Sequence, residues 1–209
     1  MKLYDFARAP NPRRVRIFAA EKGVALDIVQ VDLGSREQLG DDFRAVNPDC
    51  VVPALELDDG TRICESVAIC RYLEELHPEP PLFGTDALDK AMVEMWHRRV
   101  EIQGFQGAAE ALRNSSDFFE NRALPGPVDY AQIPELAERG RQRIAQFFSM
   151  LDGRLAESEH VAGERFSIAD IAALVVVDFA ARTGSAPDDM PAAMAAWHAR
   201  VSARPSATA

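Results

Sequence analysis

The hydrophobic pattern of the chain changes character near residue 80. Before that point, short runs of strand character alternate with helical stretches. Lys2–Tyr4 reads as a short strand. Pro12–Lys22 reads as a helix with Val15, Ile17, Phe18 and Ala19 apolar and Gly23 as its stop. Asp27–Leu33 alternates as a strand does. Arg36–Val46 predicts a short, poorly ordered helix ahead of Asn47-Pro48. Pro53–Leu57 and Thr61–Cys64 predict a hairpin around the turn Asp58-Asp59-Gly60. Ser66–Leu76 predicts a helix with Ile69, Tyr72 and Leu73 on its apolar side. This βαβαββα order implies a small mixed sheet covered by helices.

The stretch from His77 to Gly84 holds Pro78, Pro80 and Pro81, which predicts a stiff linker. No strand pattern follows it. Thr85 is placed to cap a long helix running to about Arg113, with Ala91, Met92, Met95, Trp96 and Val100 at helical spacing. Asn114–Ile133, with Pro125, Gly126 and Pro127, predicts a loop. Further helices are predicted over Pro134–Glu157, with Ile144, Phe147, Phe148 and Leu151 inward, over Ser167–Arg182, and over Pro191–Ala203. The expected architecture is therefore α+β in two domains: residues 1–77, a linker over 78–84, and an all-α helical bundle over 85–209.

Composition and charge narrow the function classes. The chain has 209 residues, 47% hydrophobic and 27% charged, an ordinary globular composition. Its net charge of −10 argues against a general nucleic-acid binder, which needs a broad basic surface. The longest apolar stretch, Ile168–Ala181, is interrupted by Asp170 and Asp178 and is too short and charged for a membrane span. Met1 leads into Lys-Leu-Tyr-Asp, not into a targeting pattern. Cys50, Cys64 and Cys70 form no metal or redox motif, so a reducing cytoplasm is the expected setting. The four histidines have no zinc-ligand spacing, and no metal is expected.

Three short stretches carry candidate chemistry. In Val52-Pro53, a cis bond would turn the Val52 backbone outward, where an extended peptide could pair with it. An ordinary trans-Pro at a strand start is the plainer alternative. In Glu65-Ser66-Val67-Ala68-Ile69, Ser66 is positioned to cap a helix whose N-terminus suits a carboxylate, and Glu65 suits an ammonium. Together they match the amino-acid end of a small zwitterionic peptide, although an acidic, capped helix start has the same appearance. Ser167-Ile168-Ala169-Asp170 is a capping-box start with a structural role.

These stretches, in this order, give the chain a resemblance to the cytosolic glutathione transferases over essentially its whole length. The matching segments are Met1–Tyr4 with Arg13–Arg16, Asn47-Pro48 through Val52-Pro53-Ala54-Leu55, Glu65–Ile69, and Val161-Ala162-Gly163 through Ser167–Asp170. The resemblance implies a thioredoxin-like first domain that binds glutathione as co-substrate. Val52, before a cis-Pro53, would pair with the cysteinyl backbone, and Glu65 and Ser66 would hold the γ-glutamyl end. Gln38 is the nearest polar candidate for the glycine end. The thiol would point at Ala9–Arg13. The family usually forms two-fold homodimers, and one is expected here, with a small electrophile as second substrate and no membrane or nucleic-acid partner.

The family's usual Tyr, Ser or Cys beside the sulfur has no counterpart in Phe6–Arg14, and Tyr4 lies inside a strand. The chain thus resembles an atypical branch lacking that residue. Bringing a thiol from roughly 8.5 to roughly 6.5 requires about 2.7 kcal/mol. A helix N-terminus supplies about 0.3–1 kcal/mol and at most about 2. A hydrogen bond to the thiolate adds about 1.5–3 kcal/mol. Asn11 is the neutral side-chain donor in the loop, and Arg13 can favour a nearby thiolate. For Asn11, a turn residue at a helix start is an equal reading. Arg13, Arg14 and Arg16 read as a basic patch, mostly a solvated face. Arg113, Asn114, Ser115 and Ser116 are candidates for holding a water or lining the electrophile site, or else simply end a helix. The implied activity is glutathione transfer of the EC 2.5.1.18 kind, in detoxification. The alternatives are glutathione-dependent disulfide or peroxide reduction, and a binding module without catalysis.

Overall fold

The structure is a computed structural model describing residues Met1–Ala209. The chain divides into two compact units, one of Met1–Pro80 with Leu124–Asp129 and Ala209, the other of Pro81–Ala123 with Tyr130–Thr208.

The first unit is thioredoxin-like, with the order βαβαββα. Its strands are β1 (Lys2–Asp5), β2 (Asp27–Gln30), β3 (Ala54–Glu56) and β4 (Arg62–Cys64). They form one four-stranded sheet in the order β2-β1-β3-β4. β1 runs parallel to β2 and antiparallel to β3, and β3–β4 is the expected hairpin. The helices are α1 (Pro10–Glu21), α2 (Asp41–Val46) and α3 (Ser66–Leu76). On one face Val15, Ile17 and Phe18 of α1 and Ile69 and Leu73 of α3 are fully buried with Leu3 and Leu55. On the other, Val31, Phe43 and Val52 form a core cluster against which Tyr4, Phe6, Ala9, Leu33 and Val46 pack.

Two readings are corrected in this unit. β2 stops at Gln30, and Arg36–Val46 splits into a 3₁₀ turn (Glu37–Leu39) and α2, because Gly40 is extended between them. The arginines of α1 are not a solvated face. Arg14 is 2% exposed, and Arg16 pairs with the buried Asp5 carboxylate. Beside them, Lys22 Nζ meets Glu74 at 2.5 Å and donates to the carbonyl oxygens of Pro78 and Pro80, tying the proline-rich segment to α1.

The second unit is all-helical: α4 (Ala87–Arg99), α5 (Gln106–Arg113), α6 (Pro134–Glu157), α7 (Ile168–Arg182) and α8 (Ala192–Ser202). Asp86, not Thr85, caps α4, accepting from the N–H groups of Leu88 (2.9 Å) and Asp89 (3.0 Å). Thr85 instead donates to the Asp89 carboxylate. The expected single long helix is interrupted by a π-helical stretch, Val100–Phe105, between α4 and α5. α5 and α6 approach backbone to backbone. A Cβ on Gly140 would lie 2.5 Å from the Ala111 nitrogen. α7 is the centre of the bundle, with Ile168 to Val177 buried throughout. Its start is saturated with bonds. The fully buried Asp170 carboxylate accepts from Val161 N–H (2.9 Å), Ser167 N–H (3.1 Å) and Trp197 Nε1 (3.0 Å). No helix is long and apolar enough to cross a membrane.

Candidate functional site

Strand register brings the candidate residues to one end of the sheet. Tyr4 of β1 pairs with Ala54 of β3, and Ala54 pairs with Cys64 of β4. The chain leaving β1 toward α1, the chain entering β3 through Val52-Pro53, and the chain leaving β4 through Glu65-Ser66 therefore emerge together. Phe6 and Ala9, from the first of these segments, pack on the cluster that contains Val52.

The Val52–Pro53 bond is cis. Val52 is buried, yet neither its N–H nor its C=O enters a backbone hydrogen bond. The loop before it is fixed by Asn47, which is 1% exposed. Its Nδ2 donates to Val51 C=O (2.8 Å), and its Oδ1 accepts from Asp49 N–H (3.1 Å). Asn47-Pro48 was legible as part of the family pattern, but this positioning role was not. The signal that could have found it is an Asn-Pro pair closing the loop five residues before Val52, since an Asn side chain readily bonds nearby loop backbone.

The start of α3 is equally open. Its N-cap is Glu65, at φ 69° and ψ 118°, and no side chain caps the helix. Ser66 is therefore the first helical residue, not the cap, which corrects the sequence reading. Ser66 is buried, and its hydroxyl makes no hydrogen bond within the fold. Ile69 N–H closes the first helical bond to Glu65 C=O, leaving the N–H groups of the first turn outward. The Glu65 carboxylate is exposed beside them. A non-glycine residue held at positive φ costs energy and tends to occur where a ligand is recognised.

α1 begins with Ala9 as N-cap, again without a side-chain cap, and with proline at positions 10 and 12. Arg13 N–H is given to Ala9 C=O. Proline has no N–H, so Asn11 supplies the one backbone donor left at this helix start, and it is exposed. An anion placed at this helix start would therefore meet one backbone N–H, fewer than a normal N-terminus offers. Arg13 is half-buried one turn position further on. Tyr4 is not at the site: its hydroxyl donates to Glu56 (3.4 Å) and its ring stacks edge-on to Phe43.

Gln38 sits in the 3₁₀ turn, half-buried, with its Oε1 enclosed and without a hydrogen-bond partner. In the second unit, the end of α5 is engaged locally. Arg113 donates to the carbonyls of Ala123 (3.2 Å) and Arg122 (2.6 Å), and burial pulls its guanidinium down to about 10. Asn114 bonds Glu110 C=O and Ile133 N–H. The Ser115 hydroxyl donates to Ala111 C=O, and Ser116 lends its carbonyl to Gln132.

Two of the chain's own sulfurs, those of Cys64 and Cys70, are poor nucleophiles. All three cysteines are free thiols. Burial, with Asp49 and Glu65 nearby, raises the Cys64 thiol, and burial pushes Cys70 up to about 12. Thiolate, not thiol, is the reactive form.

This combination of a thioredoxin-like sheet, an open cis-proline edge, an uncapped Glu-Ser helix start and an appended helical bundle defines the class to which the comparisons point. The models for the glutathione S-transferase N-terminal domain and C-terminal domain match residues 9–76 and 109–205. Glutathione S-transferase 2 of Saccharomyces cerevisiae is 35% identical over 211 residues, covering 99% of this chain and 87% of the yeast protein. The crystal structure of a glutathione S-transferase domain-containing protein from Marinobacter aquaeolei superposes with a TM-score of 0.89 at 36% identity, covering 99% of both chains. A glutathione S-transferase of class Gtt2 from Vibrio parahaemolyticus superposes with a TM-score of 0.82 at 38% identity, over 99% of this chain and 95% of that one. The chain belongs to the glutathione S-transferase family.

Proposed function

We propose that the protein is a cytoplasmic glutathione transferase that activates the thiol at the start of α1. The carrying observation is the convergence of three unused sets of polar groups at one end of the sheet: the Val52 backbone, the Glu65–Ser66 start of α3, and Asn11. Their chemistry matches glutathione part by part. Val52 pairs with the cysteinyl peptide unit. Glu65 takes the γ-glutamyl ammonium, while the Ser66 hydroxyl and first-turn N–H groups of α3 take its carboxylate. Gln38 is assigned to the glycine end, where its Nε2 amide can donate to the glycyl carboxylate.

The thiol proton leaves to solvent, and the thiolate accepts hydrogen bonds from the Asn11 backbone N–H and side-chain amide, with Arg13 adding positive potential. The sulfur lone pair then forms the S–C bond to the electrophile. In displacement the leaving group departs with its bonding pair. In addition, the carbanion takes a proton from water. Arg113, Asn114, Ser115 and Ser116 are assigned to the electrophile side. Of these the Ser116 hydroxyl is the one side-chain group not engaged within its own unit, because the other three side chains are hydrogen-bonded there. A two-fold homodimer is part of the reading, checked by sedimentation.

A neutral amide donor in place of a phenol or hydroxyl also suits attack on sulfur, so glutathione-dependent disulfide reduction is the second reading. There the thiolate forms an S–S bond and the substrate's other sulfur leaves as a thiolate. Parallel assays with an aromatic halide and a mixed disulfide separate the two. Turnover of the halide is expected, and turnover of the disulfide alone would replace the transferase reading.

A further inference from the structure

The segment between β1 and α1 contains a network that the proposed chemistry does not use directly. Asp5, the last residue of β1, is 1% exposed and carries two bonds on its carboxylate. Oδ2 accepts from Gln30 Nε2 at 2.6 Å, and Oδ1 pairs with Arg16 Nη1. Both partners then turn to one residue. Gln30 Oε1 accepts from Ala7 N–H at 3.1 Å, and Arg16 Nη2 donates to Ala7 C=O at 3.1 Å. Asp5 and Gln30 are direct register partners in β1 and β2, so the rigid sheet itself sets the carboxylate–amide geometry. Arg16 comes from α1, the helix whose start is in question. Ala9 N–H closes the remaining turn onto Phe6 C=O at 2.8 Å.

We propose that Asp5, Arg16 and Gln30 act together as positioning residues, a clamp on the Ala7 peptide that sets where Asn11 meets the glutathione sulfur. This inference rests on the reading given under Proposed function. A buried carboxylate held by a charged and a neutral donor is among the stiffer arrangements available to a side-chain network. Arg16 spans two acceptors at once, Asp5 and Ala7 C=O, which a single-headed Lys cannot do. The demand for stiffness is specific to this place. With prolines at 10 and 12, one residue supplies the donors at the helix start, and a displacement of about 1 Å at a reacting group can cost about a hundredfold in rate.

The test uses the full chain and two variants, Gln30→Ala and Arg16→Lys. Gln30 is exposed, and Gln30→Ala removes one contact to Ala7 and one to Asp5 while keeping the Asp5–Arg16 pair, whereas Asp5→Asn would break that buried pair and is avoided. Each protein is titrated with pH while the thiolate absorbance of bound glutathione is read. Turnover, the KM for glutathione and the melting temperature are measured alongside. Both variants are expected to shift thiolate formation about one pH unit upward and to lower kcat about tenfold near pH 6.5, with recovery as pH rises. The KM for glutathione should stay within about threefold of wild type. A variant that melts earlier but keeps the wild-type thiolate titration would make the network purely structural and overturn the clamp. So would a rise in KM at unchanged kcat. Failure of the wild type itself to ionise bound glutathione below its free value would instead overturn the function on which the clamp rests.

Discussion

Two helix starts in this molecule have been built to opposite ends. At α7 the first turn is closed: Ser167 and Asp170 form a reciprocal capping box, and the Asp170 carboxylate also holds Val161 and Trp197 in a fully buried setting. At α3 the first turn is left open, with no side-chain cap, a Glu65 backbone in an unfavourable conformation and a Ser66 hydroxyl with no partner in the fold. α1 is open in the same way, and two prolines strip it to the Asn11 donor. The closed start stabilises the bundle. The open starts forgo capping, typically worth about 1 kcal/mol each, and keep their donors for something else.

The largest expected effect lies at the closed end. Asp170→Ala removes the acceptor for four hydrogen bonds, from Val161 N–H, Ser167 N–H, the Ser167 hydroxyl and Trp197 Nε1–H, and should cost about 3–5 kcal/mol of stability in chemical denaturation. A loss below about 1 kcal/mol would mean the capped start is not the support it is taken to be. Next in size, Asn11→Ala should lower kcat by about ten- to a hundredfold while changing glutathione affinity far less. Unchanged turnover would assign thiolate stabilisation to a water or to Arg13. Ser66→Ala and Ser167→Ala sharpen the contrast as a pair. The first should weaken glutathione about five- to tenfold in calorimetry with no loss of melting temperature. The second should lose about 1 kcal/mol of stability with no change in glutathione affinity. Exchange of those two outcomes would reverse the assignment of open and closed starts.

The smallest effect concerns the protein's own thiols. Because burial lifts Cys70 from about 9 to about 12, its thiol stays protonated in the fold while the unfolded chain ionises it. The contribution to stability is complete below about pH 9 and is lost as pH rises toward about 12. Cys70→Ala should therefore flatten the alkaline fall in stability over that window and leave turnover at pH 7 within about twofold.

Sequence patterning located the open and closed starts unequally well. α3 and α6 lie where the apolar spacing placed them, and the Ser167–Asp170 box was legible because its residue types and spacing are local. At α3 the residue types point to Ser66 as the cap, one residue later than Glu65, which occupies that position. Ser is a common cap, and nothing local indicates that Glu65 would take a positive φ. The same limit hid the fate of Arg14 and Arg16. On helical spacing they read as a surface stripe, and only the burial of Asp5 on a neighbouring strand draws Arg16 inward. The break between α4 and α5 was invisible for a related reason. The π-helical stretch places Gly104 against Phe147 of α6 and Val176 of α7, a tertiary fit that no heptad count reports.

Backbone amide resonances followed during titration with glutathione compare the two kinds of helix start in one experiment. The expected result is saturable movement of the Asn11, Val52, Ser66 and Val67 amides, with Ile168, Ala169 and Asp170 unmoved. No movement at Asn11 and Val52, or equal movement at the start of α7, would contradict the claim that the open starts exist to hold this ligand.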